Sequence, residues 1–295
     1  MDDLFSLRNL YWIGNYEAAI DEAQTVKPKT DRETIDRDVF LFRSLIGQGK
    51  GAEVIEKVGA AGSTSTDVQV VNLLATFVTQ PAQREAVQET LAEWLTDENI
   101  KDNKVLQLIA ATVFFRAGDT KEALKALRAP SDLEQAALRV QILLSMNRVD
   151  LAEQELSKMQ GEDDDATLTQ LATGWVLLAN GGKKCKEAAL IFQELMSKSV
   201  QSTMLLNAVA MSHMQMKQFN EAEKYLVEAQ EKNDSDVDVL VNLVSCYCNL
   251  RKPEANIQAT LDKLRQVAPD HALLAQLSAC EATFDQVAAA QSASA

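Results

Sequence analysis

The chain has 295 residues, 46% of them hydrophobic and 5% aromatic, with only 5 Pro and 11 Gly. That supplies ample apolar surface for a buried core and favours helix over sheet throughout. The net charge of −14 repels nucleic-acid backbones and anionic membrane surfaces, and no basic run offsets it, the densest being Lys183-Lys184-Cys185-Lys186.

The amino end, MDDLF, is acidic and leads into no uninterrupted apolar segment, so no secretory leader is expected. Every apolar run breaks well short of the ~18 residues that cross a bilayer. Residues 4–24 read as a helical hairpin broken at Gly14-Asn15, with Lys27-Pro28 ending the unit. Next comes 37–49, where Val39, Leu41, Phe42, Leu45 and Ile46 make a helical stripe, then a short helix at 52–58 and a loop over 59–66. The third pair, 68–79 and 82–95, divides at Gln80-Pro81, with Trp94 on its apolar side as core. The fourth, 104–116 and 120–127, divides at Gly118-Asp119, and the fifth, 133–146 and 149–159, at Asn147-Arg148. The sixth opens on the acidic run 162–165, runs as a long apolar helix to Asn180-Gly181-Gly182, and restarts at about Lys184. Residues 203–216 with 219–231 make the seventh pair, and 237–249 with 253–267 the eighth. A last helix over 271–289 has no partner. The chain thus reads as a single domain over 1–290 with a disordered tail at 291–295.

The pairs share a register. Each second helix carries an alanine at a corresponding point, at Ala19, Ala123, Ala152, Ala188 and Ala222, where two helices cross. Ala188 and Ala222 lie 34 residues apart, the tetratricopeptide period, although Ala123 and Ala152 are only 29 apart. A hairpin this small cannot hide its own apolar face, so neighbours must stack. The expected fold is all-α, a tetratricopeptide-like right-handed α-solenoid of about eight helical hairpins with a C-terminal capping helix. A helix bundle is the competing architecture, disfavoured by the fixed repeat.

Catalytic signatures do not emerge. There is no Gly-rich phosphate loop, H-E-x-x-H or G-x-S-x-G pattern, and only two histidines, His213 and His271. His213 and Cys248 are explained by helix packing. Cys246-x-Cys248 is no metal pair, because residues two apart on a helix point about 200° from each other. Free cysteines in a chain without an export signal read as packing residues, Cys185 between two lysines as a solvated surface thiol. The acidic run 162–165 complements the dipole of the helix it opens and carries no Ca²⁺-loop spacing. No enzyme, cofactor or metal is expected.

The inner face of the solenoid is the candidate site. Tetratricopeptide register points Leu108, Thr112 and Phe115 inward in the fourth copy, then Ala137, Gln141 and Leu144 in the fifth. The sixth gives Leu171, Trp175 and Leu178, and the seventh Asn207, Met211 and Met214. Such a lining is apolar for a surface and suits a protein partner; helix core is the competing assignment. A clamp for a terminal carboxylate is disfavoured, since its places hold Asn207, Met211, Asn242, Ala272 and Gln276, without a basic residue.

One family resembles this chain along its whole length. DDDATLTQLATGWVLLANGG followed by KEAALIFQEL is similar to the most distinctive segment of the coatomer ε subunit (ε-COP). LFSLRNLYWIGNYEAAIDEA at 4–23, RDVFLFR at 37–43 and VQILL at 140–144 resemble other parts of that family. The resemblance implies a non-enzymatic structural subunit of the COPI coat, acting in Golgi-to-ER retrograde and intra-Golgi transport. It implies a cytoplasmic protein, peripheral on Golgi membranes and COPI-coated vesicles, without membrane insertion or nucleic-acid binding. The implied partner is the carboxy-terminal domain of the α subunit (α-COP), an extended element of which the array encircles, and through it the rest of coatomer. A tetratricopeptide adaptor for another soluble protein is the competing function.

Overall fold

The computed structural model describes residues 4–62, 65–198 and 201–294, with backbone alone at 61, 290 and 292–294. Among these residues there are seventeen α-helices and no strand. They are α1 (Phe5–Trp12), α2 (Tyr16–Thr25), α3 (Asp31–Gly47), α4 (Gly51–Ala61), α5 (Thr66–Thr79), α6 (Arg84–Trp94), α7 (Lys104–Arg116), α8 (Thr120–Ala126), α9 (Leu133–Ser145) and α10 (Val149–Glu162). Then come α11 (Thr167–Asn180), α12 (Lys184–Lys198), α13 (Thr203–Gln215), α14 (Phe219–Lys232), α15 (Val237–Leu250), α16 (Glu254–Val267) and α17 (Ala272–Ser294). The chain divides into two compact units, residues 1–201 with α1 to α12 and residues 202–295 with α13 to α17.

The turn inside each hairpin explains why the pairs are legible. In most of them the first helix ends and one residue turns left-handed, and at Asn15 and Asp119 a side chain then caps the second helix. Gly118 takes φ 89° and Asp119 then accepts from the Glu122 N–H at 3.1 Å. Asn147 fills the same place at φ 57°. Lys217 and Arg251 adopt it at φ 61° and 53° without glycine's freedom, so those two turns carry no glycine signal.

In the first unit, each second helix from α2 to α10 packs between its own first helix and the next one, and α12 packs on α11. The first helices meaning α1, α3, α5, α7, α9 and α11 pack in that order as one layer. The alanines expected at the crossings, Ala19, Ala123, Ala152 and Ala188, have no exposed surface, and neither does Ala222 in the second unit. Where α11 crosses α12 the approach is closer still: a Cβ on Gly174 would lie 2.4 Å from the ring of the fully buried Phe192. Polar ties link the starts of successive first helices. Buried Asp67 of α5 accepts from Arg32 of α3 at 2.6 Å and from Asn103, the residue that caps α7. Gln135 of α9, also buried, donates to the Lys104 carbonyl at 3.1 Å. Charged and amide groups this deep are tolerated because each is paired.

Several boundaries differ from expectation, two of them early in the chain. Helix α3 begins at Asp31 rather than 37, because Thr30 caps it through the Glu33 N–H at 3.1 Å and Glu33 reaches back to the Lys29 N–H. Helix α4 continues through Gly59 to Ala61 before Gly62 turns left-handed, so part of the expected loop is helical; residues 63 and 64 lie outside the described residues.

In the second unit α13 packs on α14 and α15, and α15 on α14 and α16. The terminal helix covers this end with its first turns only. Leu274 joins Leu240, Val244, Leu261 and Leu264, with Leu273 and Leu277 beside it. Farther along α17, Phe284 is 73% and Val287 55% exposed. The helix runs through Ser294, and residue 295 of the expected tail lies outside the described residues.

The cysteines need one correction. Cys185 is fully buried rather than a surface thiol, because α12 turns it inward one turn before Ala188 and Ala189. Cys246 is buried while Cys248 is exposed, as opposite helix faces require. The Cys246 thiol donates to the Phe219 carbonyl at 3.3 Å, and burial, aided by nearby Glu223, pushes it up to about 11, so it stays protonated at neutral pH.

Candidate partner-binding surface

The residues of the inward register differ in exposure. Leu108, Ala137 and Leu171 are 6%, 3% and 1% exposed and belong to the core of the first unit. They offer a partner no surface, because neighbouring helices come close enough to cover them. Phe115, Leu144, Trp175 and Leu178 are half-buried, Thr112 bonds its hydroxyl to the Leu108 carbonyl, and Gln141 is exposed. Leu144 and Trp175 pack on one cluster with Ala136, Val140, Leu168, Ala172 and Val176, while Phe115 packs on the larger cluster around Ile109 and Val113. In the second unit Met211 is 38% exposed and Met214 half-buried. Asn207 accepts from Asn242 at 2.9 Å, so the two asparagines of the carboxylate-clamp comparison satisfy each other.

The repeat pattern by itself does not reveal that the first unit closes on itself. Helix α1 packs against α3 and also against α11, which returns the first-helix layer to its start. Trp12 of α1 packs on the same cluster as Leu144 and Trp175. Thr167, which opens α11, donates to Asn9 of α1 at 2.6 Å. Beside this contact Arg43 of α3, 8% exposed, pairs with Glu134 of α9. Its guanidinium lies 4.5 Å from the Tyr11 ring centroid and 5.1 Å from that of Phe40. Burial opposes the Arg43 charge most strongly, but Glu134 and Tyr11 more than offset it, and the guanidinium is held more firmly protonated than usual. Two polar atoms in this neighbourhood, Trp12 Nε1 and Arg43 Nε, are buried without a protein partner. No spacing rule in the sequence pairs residues 43 and 134. The one available signal is an arginine in the middle of the apolar stripe of α3.

The inner layer therefore presents half-buried aromatic and aliphatic side chains beside a sealed junction of α1, α3, α9 and α11. Apolar strips with small exposed fractions and an aromatic anchor are the chemistry of protein recognition.

Comparison with known proteins places this arrangement. Among solved structures, the APC/C assembly Cut9-Hcn1 matches with a TM-score of 0.63 at 13% identity, covering 92% of this chain and 54% of that one. A tetratricopeptide repeat protein from Parabacteroides merdae matches with a TM-score of 0.60 at 12% identity, covering 83% of this chain and 97% of that one. Both bear on the fold alone, and they make it tetratricopeptide-like. Coatomer subunit epsilon-1 of Arabidopsis thaliana is 36% identical over 285 residues, 97% of this chain and 96% of that protein. The epsilon-1 subunit of Oryza sativa subsp. japonica is 39% identical over 286 residues, 97% and 96% of the two chains. Coatomer subunit epsilon of Dictyostelium discoideum is 32% identical over 294 residues, 96% and 97% of the two. The model of the coatomer epsilon subunit matches residues 1–292, and with relatives aligned end to end the chain belongs to the coatomer epsilon subunit family.

Proposed function

We propose that this chain holds the carboxy-terminal domain of the coatomer α subunit on its first-helix face. As a coatomer epsilon subunit it is a structural component of the coat and not an enzyme, so its work is binding. The observation that carries the reading is the half-buried strip of Leu144, Trp175 and Leu178 on the inner layer of the first unit. Met211 and Met214 supply a second adaptable apolar surface in the other unit. Through the α subunit the chain joins the rest of coatomer and works in the cytoplasm, peripheral on Golgi membranes and COPI vesicles, in Golgi-to-ER and intra-Golgi transport. Net charge of −14 disfavours direct adhesion to anionic lipid, and no described helix is long and apolar enough to cross a membrane.

Trp175→Glu and Met211→Glu test the surfaces of the two units separately. With circular dichroism unchanged, each is expected to weaken binding of the purified α-subunit domain roughly 30-fold or more, the ~2 kcal/mol of an interface hot spot, in isothermal titration. Native affinity in both folded variants would remove both surfaces as the binding site.

A further inference from the structure

A cleft of about 370 Å³ at the ends of α5 and α7 is lined by Phe77, Val78, Arg84, Gln88, Arg116 and Ala117. Two arginines share it, and no carboxylate lines it. That is unusual in a chain with 43 acidic residues. Seven of the eleven arginines, at 8, 32, 37, 43, 139, 148 and 265, are ion-paired. Arg84 and Arg116 meet no acidic partner among the described residues.

Arg84 is held in place. Its Nε donates to the Phe77 carbonyl at 3.1 Å and its guanidinium lies 5.4 Å from the Phe77 ring centroid. This bond satisfies a carbonyl near the end of α5, and Arg116 likewise stands in the last turn of α7. Complementing a helix end is worth only ~0.3–1 kcal/mol at the surface. It accounts for a cation at each end, but not for two like charges brought to one cleft with donors left over. Like charges without a counter-ion repel, and a bound anion relieves that repulsion. The volume suits one or two side chains rather than a large cofactor. Val78, Ala117 and the Phe77 ring give the cleft an apolar wall beside the charges.

We propose that this cleft binds an acidic peptide segment, a carboxylate on Arg84 and Arg116 and an adjacent apolar side chain against Val78 and Ala117. Guanidinium donors match carboxylate geometry, and the fixed Arg84 loses little freedom on binding. The cleft shares no lining residue with the strip of Leu144, Trp175 and Leu178 and does not rest on the α subunit being the partner.

The test is an amide-shift NMR titration of the full chain with the peptide acetyl-Ala-Glu-Leu-Glu-Ala-amide, its Gln counterpart and inorganic phosphate. The expected result is saturable shifts at Val78, Gln88 and Ala117 with the Glu peptide. Affinity should be about tenfold or more lower for the Gln peptide, the loss of a charge-assisted hydrogen bond. Binding should fall with added salt and vanish in R84Q/R116Q. R116Q alone, which keeps the Arg84 bond to α5, should weaken binding without changing the fold. Absence of saturation, equal binding of both peptides, shifts that survive R84Q/R116Q, or phosphate binding with no response to the Glu peptide would each overturn the proposal.

Discussion

Replacing Arg43 by alanine is expected to destabilise the first unit by about 3–5 kcal/mol, the usual cost of breaking a buried ion pair from one side. Arg43 and Glu134 are 8% and 18% exposed at their side chains, so the abandoned carboxylate recovers little water. The substitution also removes a cation from the faces of Tyr11 and Phe40, each such contact being worth roughly 0.5–2 kcal/mol. All three tryptophans, Trp12, Trp94 and Trp175, lie in the first unit. Their fluorescence in urea therefore reports this unit, and the midpoint should fall by about 2 M if the slope is about 2 kcal/mol/M. The double replacement Arg43→Met with Glu134→Leu should recover much of the loss, since an apolar pair strands no charge. A loss below about 1 kcal/mol in Arg43→Ala would mean that the junction of α1, α3 and α9 does not depend on this pair.

Phe192→Ala is the second large effect, expected to cost about 3–5 kcal/mol. Phe192 is fully buried, and its ring fills the space that Gly174 leaves on the facing helix. The pair makes a sharper test than either residue alone. In the native background Gly174→Ala gains up to ~1 kcal/mol of helix propensity but drives a methyl into the ring, so a net loss follows from the ~1–3 kcal/mol cost of overpacking. In the Phe192→Ala background the obstruction is gone, and the same substitution should stabilise. Chemical denaturation of the four proteins measures the coupling; additive effects would contradict the packing described here.

The hairpins were legible because several signals agreed. Apolar stripes of helical period, Gly118-Asp119 and Asn147-Arg148 at the turns, and alanines where helices cross all gave one register. One polar start signal lies outside any apolar stripe. The start of α3 is marked by Thr30 and Glu33, a capping pair ahead of the apolar stripe rather than within it. Long-range closure was invisible for a different reason. The contacts of Trp12 with the α9 and α11 cluster, and of Arg43 with Glu134, depend on how far the stacked hairpins curve. No local spacing encodes that curvature. The candidate strip shows the same limit: periodicity groups Trp175 with Leu171 and Leu178, but burial depends on how near the next helix comes. Leu108 and Leu171, taken from the same stripe, are therefore core. Arg84 and Arg116 stand 32 residues apart on different helices, and only the packing of α5, α6 and α7 brings them to one cleft.

The most direct test of partner binding is size-exclusion chromatography with light scattering on this chain mixed with the purified carboxy-terminal domain of its α subunit. A single peak at the mass of a one-to-one complex is the predicted result. Two peaks at the separate masses, with both proteins folded and at concentrations near 10 μM where an ~8 kcal/mol interaction is half-formed or better, would contradict it.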